Sequence, residues 1–241
     1  MTPPQTAVPA PERAPVRDEM PLNGIHHVEL YVGNAEQAAY FLKRAFGFRE
    51  TAFAGLETGL RDRVSHVLEQ GRIRLVVTGT MHGGNEIARH VADHGDGVKV
   101  IALSVPDTEH AYRYAVQHGA RGLVEPYEAS DDGGTVKLAT IGTYGETVHT
   151  FVERNGYDGA FLPGFEAVDD GTQDGGMLLA IDHIVGNVEL GAMETWVKYY
   201  EDVFGMTEMI HFSDEDISTE YSVEIASSEK WIISVIPKTS S

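Results

Sequence analysis

The feature that most constrains this chain is an internal repeat. Residues 24–28 (Gly-Ile-His-His-Val) and 180–184 (Ala-Ile-Asp-His-Ile) share the order Ile, any residue, His and a β-branched residue, 156 positions apart. A helix pattern follows each copy, the first beginning after Asn34 and ending at Gly47 and the second ending at Gly205. Because repeated units must stack to bury their apolar faces, this repeat determines the architecture.

Strand patterns complete each copy of the repeat. Alternating residues over 64–68 and 73–77 flank a turn at residues 70–71, which is typical of a hairpin with one buried face. A further unit lies between the two copies, with a strand over 98–105 and a helix capped by Asp107. We therefore predict an α+β fold of βαβββ modules, with one complete open barrel followed by a half barrel.

The repeat also predicts the domain organisation. We expect a flexible arm over the proline-rich residues 1–21, a two-module domain over 22–154, a glycine-rich linker over 155–179, and the first module of a second domain over 180–241. A second pair matching the first would extend to about residue 310. The sequence is therefore expected to be an amino-terminal portion with the end of its second domain missing.

Composition excludes several classes of function. The net charge of −19 repels nucleic acid and anionic membrane surfaces, so neither is expected as a partner. The chain has no cysteine, so a metal ion could be held only by His, Asp or Glu. No apolar run resembles a signal peptide or a transmembrane helix, which favours a cytoplasmic location.

Five short segments carry more specific information. Together they resemble the 4-hydroxyphenylpyruvate dioxygenase family of the vicinal oxygen chelate superfamily, in the order in which that family has them. The run Asp-His-Ile-Val-Gly-Asn-Val is the most specific part. The segments are 94–98 (His-Gly-Asp-Gly-Val), 125–128 (Glu-Pro-Tyr-Glu), 156–159 with 162–164 (Gly-Tyr-Asp-Gly and Leu-Pro-Gly), 181–190 (Ile-Asp-His-Ile-Val-Gly-Asn-Val-Glu-Leu) and 219–222 (Thr-Glu-Tyr-Ser).

The resemblance implies an Fe(II)-dependent dioxygenase of tyrosine catabolism, which converts 4-hydroxyphenylpyruvate and O2 into homogentisate and CO2. Two histidines and a carboxylate hold the iron in such sites, because three protein ligands leave room for a bidentate 2-oxo acid and O2. The resemblance maps the first ligand onto His183, and places Val185 and Ser222 on the acid-binding side of the substrate pocket. The other two ligands have no match, so we expect the 241 residues alone to be inactive.

The amino-terminal pair of modules does not supply the two missing ligands. His27 occupies the position that matches the first ligand, but the second position is Val100, and the carboxylate position near Thr150 carries no charge. The resemblance therefore implies a non-catalytic scaffold over residues 22–154.

Other interpretations of the histidines stay open at this level. A histidine on an apolar strand, such as His183, is more often a hydrogen-bonded core residue than a ligand. His26 and His27 are expected to be structural. A further four lie in loop or helix patterns without carboxylates at matching spacing and are expected to face solvent, namely His82, His90, His94 and His110.

Three alternative functions also stay open. A hydroxymandelate synthase would share the fold, iron and substrate but hydroxylate the benzylic carbon. The first domain could instead be a metal-free module that binds a small aromatic ligand. An unpaired sheet edge in the third module favours self-association, so a homo-oligomer is expected.

Overall fold

We describe the fold from a computed structural model. It describes residues 19–172, 175–212, 222–226 and 232–237, and within 208–212, 222–226 and 232–237 it describes the backbone alone. Of the arm expected over residues 1–21, residues 1–18 lie outside these ranges. So do residues 219–221 of the last segment that carried the family resemblance.

Module one forms a sheet with strand order β1-β4-β3-β2, in which β1 and β4 are parallel. A short 3-10 helix, Leu56–Thr58, lies between β2 and β3. The elements are β1 Ile25–Val32, α1 Ala35–Phe46, β2 Arg49–Ala54, β3 Arg63–Gln70 and β4 Ile73–Thr80.

Module two repeats this order as β5-β8-β7-β6, with β5 and β8 parallel. Helix α2, Glu86–His94, connects the two modules, and β1 pairs with β5 in antiparallel orientation, so that both modules share one sheet. The elements are β5 Gly97–Ser104, α3 Thr108–Gln117, β6 Gly122–Asp131, β7 Gly134–Gly142 and β8 Val148–Glu153. A short strand, β9 Glu166–Ala167, pairs with β2 at the far end of this sheet.

Module three has the same strand order again, β10-β13-β12-β11, with β10 parallel to β13. Its elements are β10 His183–Val188, α4 Met193–Phe204, β11 Thr207–Phe212, β12 Ser222–Ala226 and β13 Ile232–Pro237. The identical order in each unit confirms the predicted α+β fold of βαβββ modules. Across the described ranges, no helix is both long and apolar enough to cross a membrane.

The predicted helix ends are confirmed by their local chemistry. The Asn34 side chain accepts a hydrogen bond from the Gln37 backbone at the start of α1, and Gly47 ends the helix at a φ of 72°. Asp107 caps α3 in the same way. Residues with φ in this left-handed region are usually glycine, because a Cβ would clash there. Phe41 of α1 is apolar but 59% exposed.

The shared sheet buries its two faces in different ways. One face packs against helices, with α1 over module one and with α3 and α4 over module two. The other face is covered by residues that follow β8, within the range 155–179 predicted as a linker. Tyr157 and Phe161 are buried there among side chains of β2 to β8. This segment therefore fills the concave side of the first two modules.

Candidate functional site

Strand β10 places His183 on an open sheet face. Side chains alternate along the strand, so that Gly186 and Val188 are buried while His183 and Val185 are exposed. Val188 packs in an apolar cluster with side chains of α4. The opposite face of β10, which carries His183, therefore points away from this helix. Among the described residues, the site that the family resemblance implies thus lies on the side of β10 that has no helix.

His183 has one charged neighbour among the described residues. Its side chain is 50% exposed, and its Nδ1 lies 3.1 Å from the Asp182 carboxylate oxygen Oδ2. Val185, 40% exposed, lies two residues along the same face. The described residues place no second imidazole and carboxylate around His183 to form a three-ligand group.

Ser222 lies two strands away from β10. It begins β12, and the neighbouring Val223 pairs with Val235 of β13, which itself pairs with Gly186. His183 pairs instead with Ile232, near the other end of β13. The backbone therefore brings β12 into the same sheet as His183, and the roles expected for His183, Val185 and Ser222 stay predictions.

A close aromatic contact positions β10 on module two. The Tyr144 ring, from the turn between β7 and β8, lies against Gly186 so closely that a Cβ on Gly186 would be 2.5 Å from its Cζ. Tyr144 also packs edge-on against Trp196 of α4, with ring centroids 5.8 Å apart. Glycine is thus required on the buried side of β10, directly beside the strand positions that carry His183 and Val185.

A buried polar network joins α4 to module two. The hydroxyl of Tyr200 lies 2.9 Å from Nε2 of His149 and 3.1 Å from Oγ1 of Thr143. Burial lowers the pKa of His149 to about 4, and burial raises the pKa of Tyr200. Both groups are therefore neutral near pH 7, and the aromatic side chains of α4 form core between modules two and three.

The matching position in the first two modules lacks ligands. His27 pairs across the sheet with Ala102, and Ala102 pairs with Thr150. Val100 lies further along β5, opposite Glu29. The Glu29 carboxylate accepts a hydrogen bond from Thr78, and burial raises its pKa.

Phe161 packs directly against His27. The two rings meet edge-on with centroids 5.0 Å apart, and Nδ1 of His27 lies 2.7 Å from Nδ1 of His26. Burial lowers the pKa of His26 to about 3, and burial, followed by the His26 charge, lowers that of His27. These imidazoles are neutral core groups, as expected for structural histidines.

The expectation that His90 faces solvent was wrong, whereas His94 is exposed, as expected. Both lie on α2, one turn apart, and His90 is buried with an exposed fraction of 6%. The carboxylate that sequence spacing did not reveal is Glu146, from the turn between β7 and β8, 3.1 Å from His94. The available signal was the i, i+4 spacing of the two histidines, which places both on one helix face.

Comparisons with known proteins agree with this architecture. Residues 24–140 match the Glyoxalase/Bleomycin resistance protein/Dioxygenase superfamily. A 4-hydroxyphenylpyruvate dioxygenase from Dictyostelium discoideum is 44% identical over 209 residues, covering 83% of this chain and 57% of the relative. The same-named protein from Yarrowia lipolytica is 41% identical over 211 residues, covering 83% and 53%.

A solved structure extends the likeness to three dimensions. A triple mutant of 4-hydroxymandelate synthase from Streptomyces coelicolor superimposes with a TM-score of 0.79 at 27% identity, covering 90% of this chain and 63% of that one. The chain spans about half the length of the curated relatives it matches. The chain therefore contains, over residues 24–140, a domain that matches the glyoxalase/bleomycin resistance protein/dioxygenase superfamily, and its repeated modules share one strand order.

Proposed function

We propose that this chain forms part of an Fe(II)-dependent dioxygenase that converts 4-hydroxyphenylpyruvate and O2 into homogentisate and CO2. The observation that carries the proposal is the contrast between the two copies of the repeat. His27 is buried beneath Phe161, whereas its counterpart His183 lies half exposed on an open sheet face. Similarity to proteins named 4-hydroxyphenylpyruvate dioxygenase supports the same assignment.

His183 suits the role of one metal ligand. A ligating imidazole commonly directs its other ring nitrogen toward a carboxylate, which fixes the ring and its tautomer. Asp182 stands in that relation to Nδ1 of His183, and Nε2 is then the nitrogen offered to a metal. Val185 lies beside the imidazole on the same face, on the side where the family resemblance places the 2-oxo acid.

The described residues do not complete an iron site around His183. A facial triad requires two histidines and a carboxylate, whereas this part of the structure offers one imidazole in the expected position. We therefore assign His183 as one ligand and derive no catalytic step from these residues.

A chimera tests the role of His183. Residues 24–222 of this chain would replace the matching segment of the Dictyostelium discoideum relative, and homogentisate would be measured by chromatography with Fe(II), ascorbate and 4-hydroxyphenylpyruvate. We expect His183→Ala to abolish product formation, because it removes a metal ligand. Asp182→Asn is expected to lower the rate by about tenfold to a hundredfold, as changes to the partners of metal ligands do.

His118→Ala in the same chimera is the matched control, since His118 is an exposed histidine of module two. It should leave the rate unchanged. Homogentisate formed at an undiminished rate by the His183→Ala chimera would refute the assignment.

A second candidate activity is that of a hydroxymandelate synthase. The structural likeness to the Streptomyces coelicolor enzyme favours it, and the carbon that is hydroxylated distinguishes the two. Product analysis of the same chimera would separate them, because 4-hydroxymandelate and homogentisate differ in retention time and fragmentation. Homogentisate as the major product supports the first proposal, and 4-hydroxymandelate supports the second.

The binding-module alternative is disfavoured by the filled concave face. Tyr157, Phe161 and the partly buried Leu162 occupy the space that a small aromatic ligand would need. Titration of the whole chain with 4-hydroxyphenylpyruvate in the absence of metal is therefore expected to give no saturable signal. Saturable binding that persists in His183→Ala would revive this alternative.

We also propose that module three mediates self-association. Among the described strands, β10 and β11 are the edges of their sheet, and β10 carries an exposed apolar residue, Val185. Light scattering should report a mass above that of the monomer. A strictly monomeric sample over a wide concentration range would exclude the proposal.

A further inference from the structure

A second group of metal-ligating side chains lies where α2 meets the turn between β7 and β8. His90 and His94 occupy successive turns of α2, and their ring centroids are 4.8 Å apart. Glu146 directs Oε2 to within 3.1 Å of His94 Nε2 and 3.9 Å of His90 Nδ1. In the described part of the chain, no other group of three such residues brings its ligand atoms so close.

An unpaired buried nitrogen within this group points to a ligand. His90 is buried, and its Nδ1 has no hydrogen-bond partner. Such groups are uncommon in folded proteins and call for a specific explanation, of which an ion is one. The ring is held in place by Tyr31, which packs against it edge-on with centroids 5.4 Å apart. A cation shared with His94 and Glu146 would give the nitrogen its missing partner.

The surrounding charges are arranged around Glu146. Lys99 donates a hydrogen bond to the Glu146 backbone carbonyl at 2.9 Å, which fixes the turn, and its ammonium group pairs with Glu86 at 3.0 Å. The lysine charge is therefore balanced by a carboxylate other than that of Glu146. The Glu146 carboxylate therefore faces the two imidazoles and not the lysine, and could bind a cation together with them.

We propose that His90 Nδ1, His94 Nε2 and Glu146 Oε2 bind one borderline divalent cation, Zn²⁺ or Co²⁺. Imidazole nitrogens select these ions over Mg²⁺ and Ca²⁺, which prefer oxygen ligands. At metal–ligand distances of about 2.0–2.2 Å, ligand atoms of a tetrahedral site lie roughly 3.3–3.6 Å apart. The ligand atoms now lie 3.1 Å and 3.9 Å apart at Glu146 and within 4.8 Å of one another overall, and rotation of the exposed His94 and Glu146 side chains would bring them closer.

Such a metal would connect α2 to the turn that positions module three. Glu146 shares this turn with Tyr144, whose ring lies against Gly186 of β10, and with Thr143, which contacts Tyr200 of α4. Binding at Glu146 would hold the turn in place and thereby stabilise the contact beneath the strand that carries His183. The site is separate from His183, so the inference does not depend on the proposed function.

Metal titration of the purified chain tests the inference. Zn²⁺ binding would be measured by calorimetry in excess Mg²⁺, which saturates non-specific sites on this acidic protein, and Co²⁺ binding by visible absorption. We expect one saturable site per chain from this cluster. His94→Gln and Glu146→Gln should each weaken it by about tenfold or more, since each removes one of three ligands. Both side chains are substantially exposed, so these variants should fold.

The controls are His118→Gln, an exposed histidine outside the cluster, and His183→Gln, the ligand of the proposed iron site. Both should keep the site, and circular dichroism should show every variant folded. Loss of the site in His183→Gln with retention in His94→Gln and Glu146→Gln would overturn the inference. Complete suppression of Zn²⁺ binding by Mg²⁺ would overturn it as well.

Discussion

Replacing Phe161 with alanine is expected to cost the first two modules much of their stability. The ring is 1% exposed, lies among Ala52, Val67 and Val76, and meets His27 edge-on. A buried aromatic ring removes about 150–250 Å² from water, worth roughly 4–6 kcal/mol at about 25 cal/mol per Å². Core Phe-to-Ala substitutions cost about 3–5 kcal/mol. We therefore expect the free energy of unfolding to fall by about 4 kcal/mol.

Urea denaturation followed by circular dichroism would measure this loss. Phe41→Ala is the matched control, because Phe41 lies exposed on α1, and it should change the free energy of unfolding by less than about 1 kcal/mol. Should Phe161→Ala be unfolded without urea, Phe161→Leu would give a smaller, measurable loss in the same direction. A Phe161→Ala protein as stable as the Phe41→Ala control would refute the claim that this ring fills the concave face.

Three further predictions concern the contact between modules two and three. Gly186→Ala would place a Cβ 2.5 Å from the Tyr144 ring and should lower the free energy of unfolding by about 1–3 kcal/mol, seen as a reduced melting temperature; an unchanged melting temperature would contradict this. Tyr200→Phe removes the hydroxyl that lies between His149 and Thr143, and should lower the free energy of unfolding measured in urea by about 1–3 kcal/mol. An unchanged free energy of unfolding would show that these two hydrogen bonds do not stabilise the fold. Burial lowers the pKa of His149 to about 4 from an ordinary 6.5, so the unfolded chain binds more protons between these values. Stability should therefore fall by up to about 3 kcal/mol as pH drops from 6.5 to 4, and His149→Gln should flatten this dependence; equal slopes in both proteins would count against it.

Features set by nearby residues could be predicted from the sequence. The cap at Asn34, the left-handed glycine at Gly47 and the turn after Gln70 each depend on local backbone chemistry, and each is present. The repeat over residues 180–184 predicted that His183 lies on a strand, and the structure begins β10 at His183. Period-two alternation then accounts for the exposure of His183 and Val185 on one face.

Features that join distant residues could not be predicted in the same way. Glu146 reaches His94 across 52 positions, and no local pattern pairs them. Phe161 lies in a glycine-rich stretch typical of a linker, yet it packs into a sheet formed by earlier residues. Phe41 fits the apolar period of α1 but is exposed, because Ala35 and Ala39 are the residues of this helix that are buried against the sheet. Tertiary packing decides such positions.

The central proposal is that His183, half exposed on β10, is one iron ligand, and that the described residues of the first two modules hold no complete iron site. The most direct measurement is O2 consumption, together with homogentisate and 4-hydroxymandelate formation, by the purified chain with Fe(II), ascorbate and 4-hydroxyphenylpyruvate. We predict neither product above the protein-free blank. Repeated turnover, in which the amount of either product equals the amount of O2 consumed, would contradict the account.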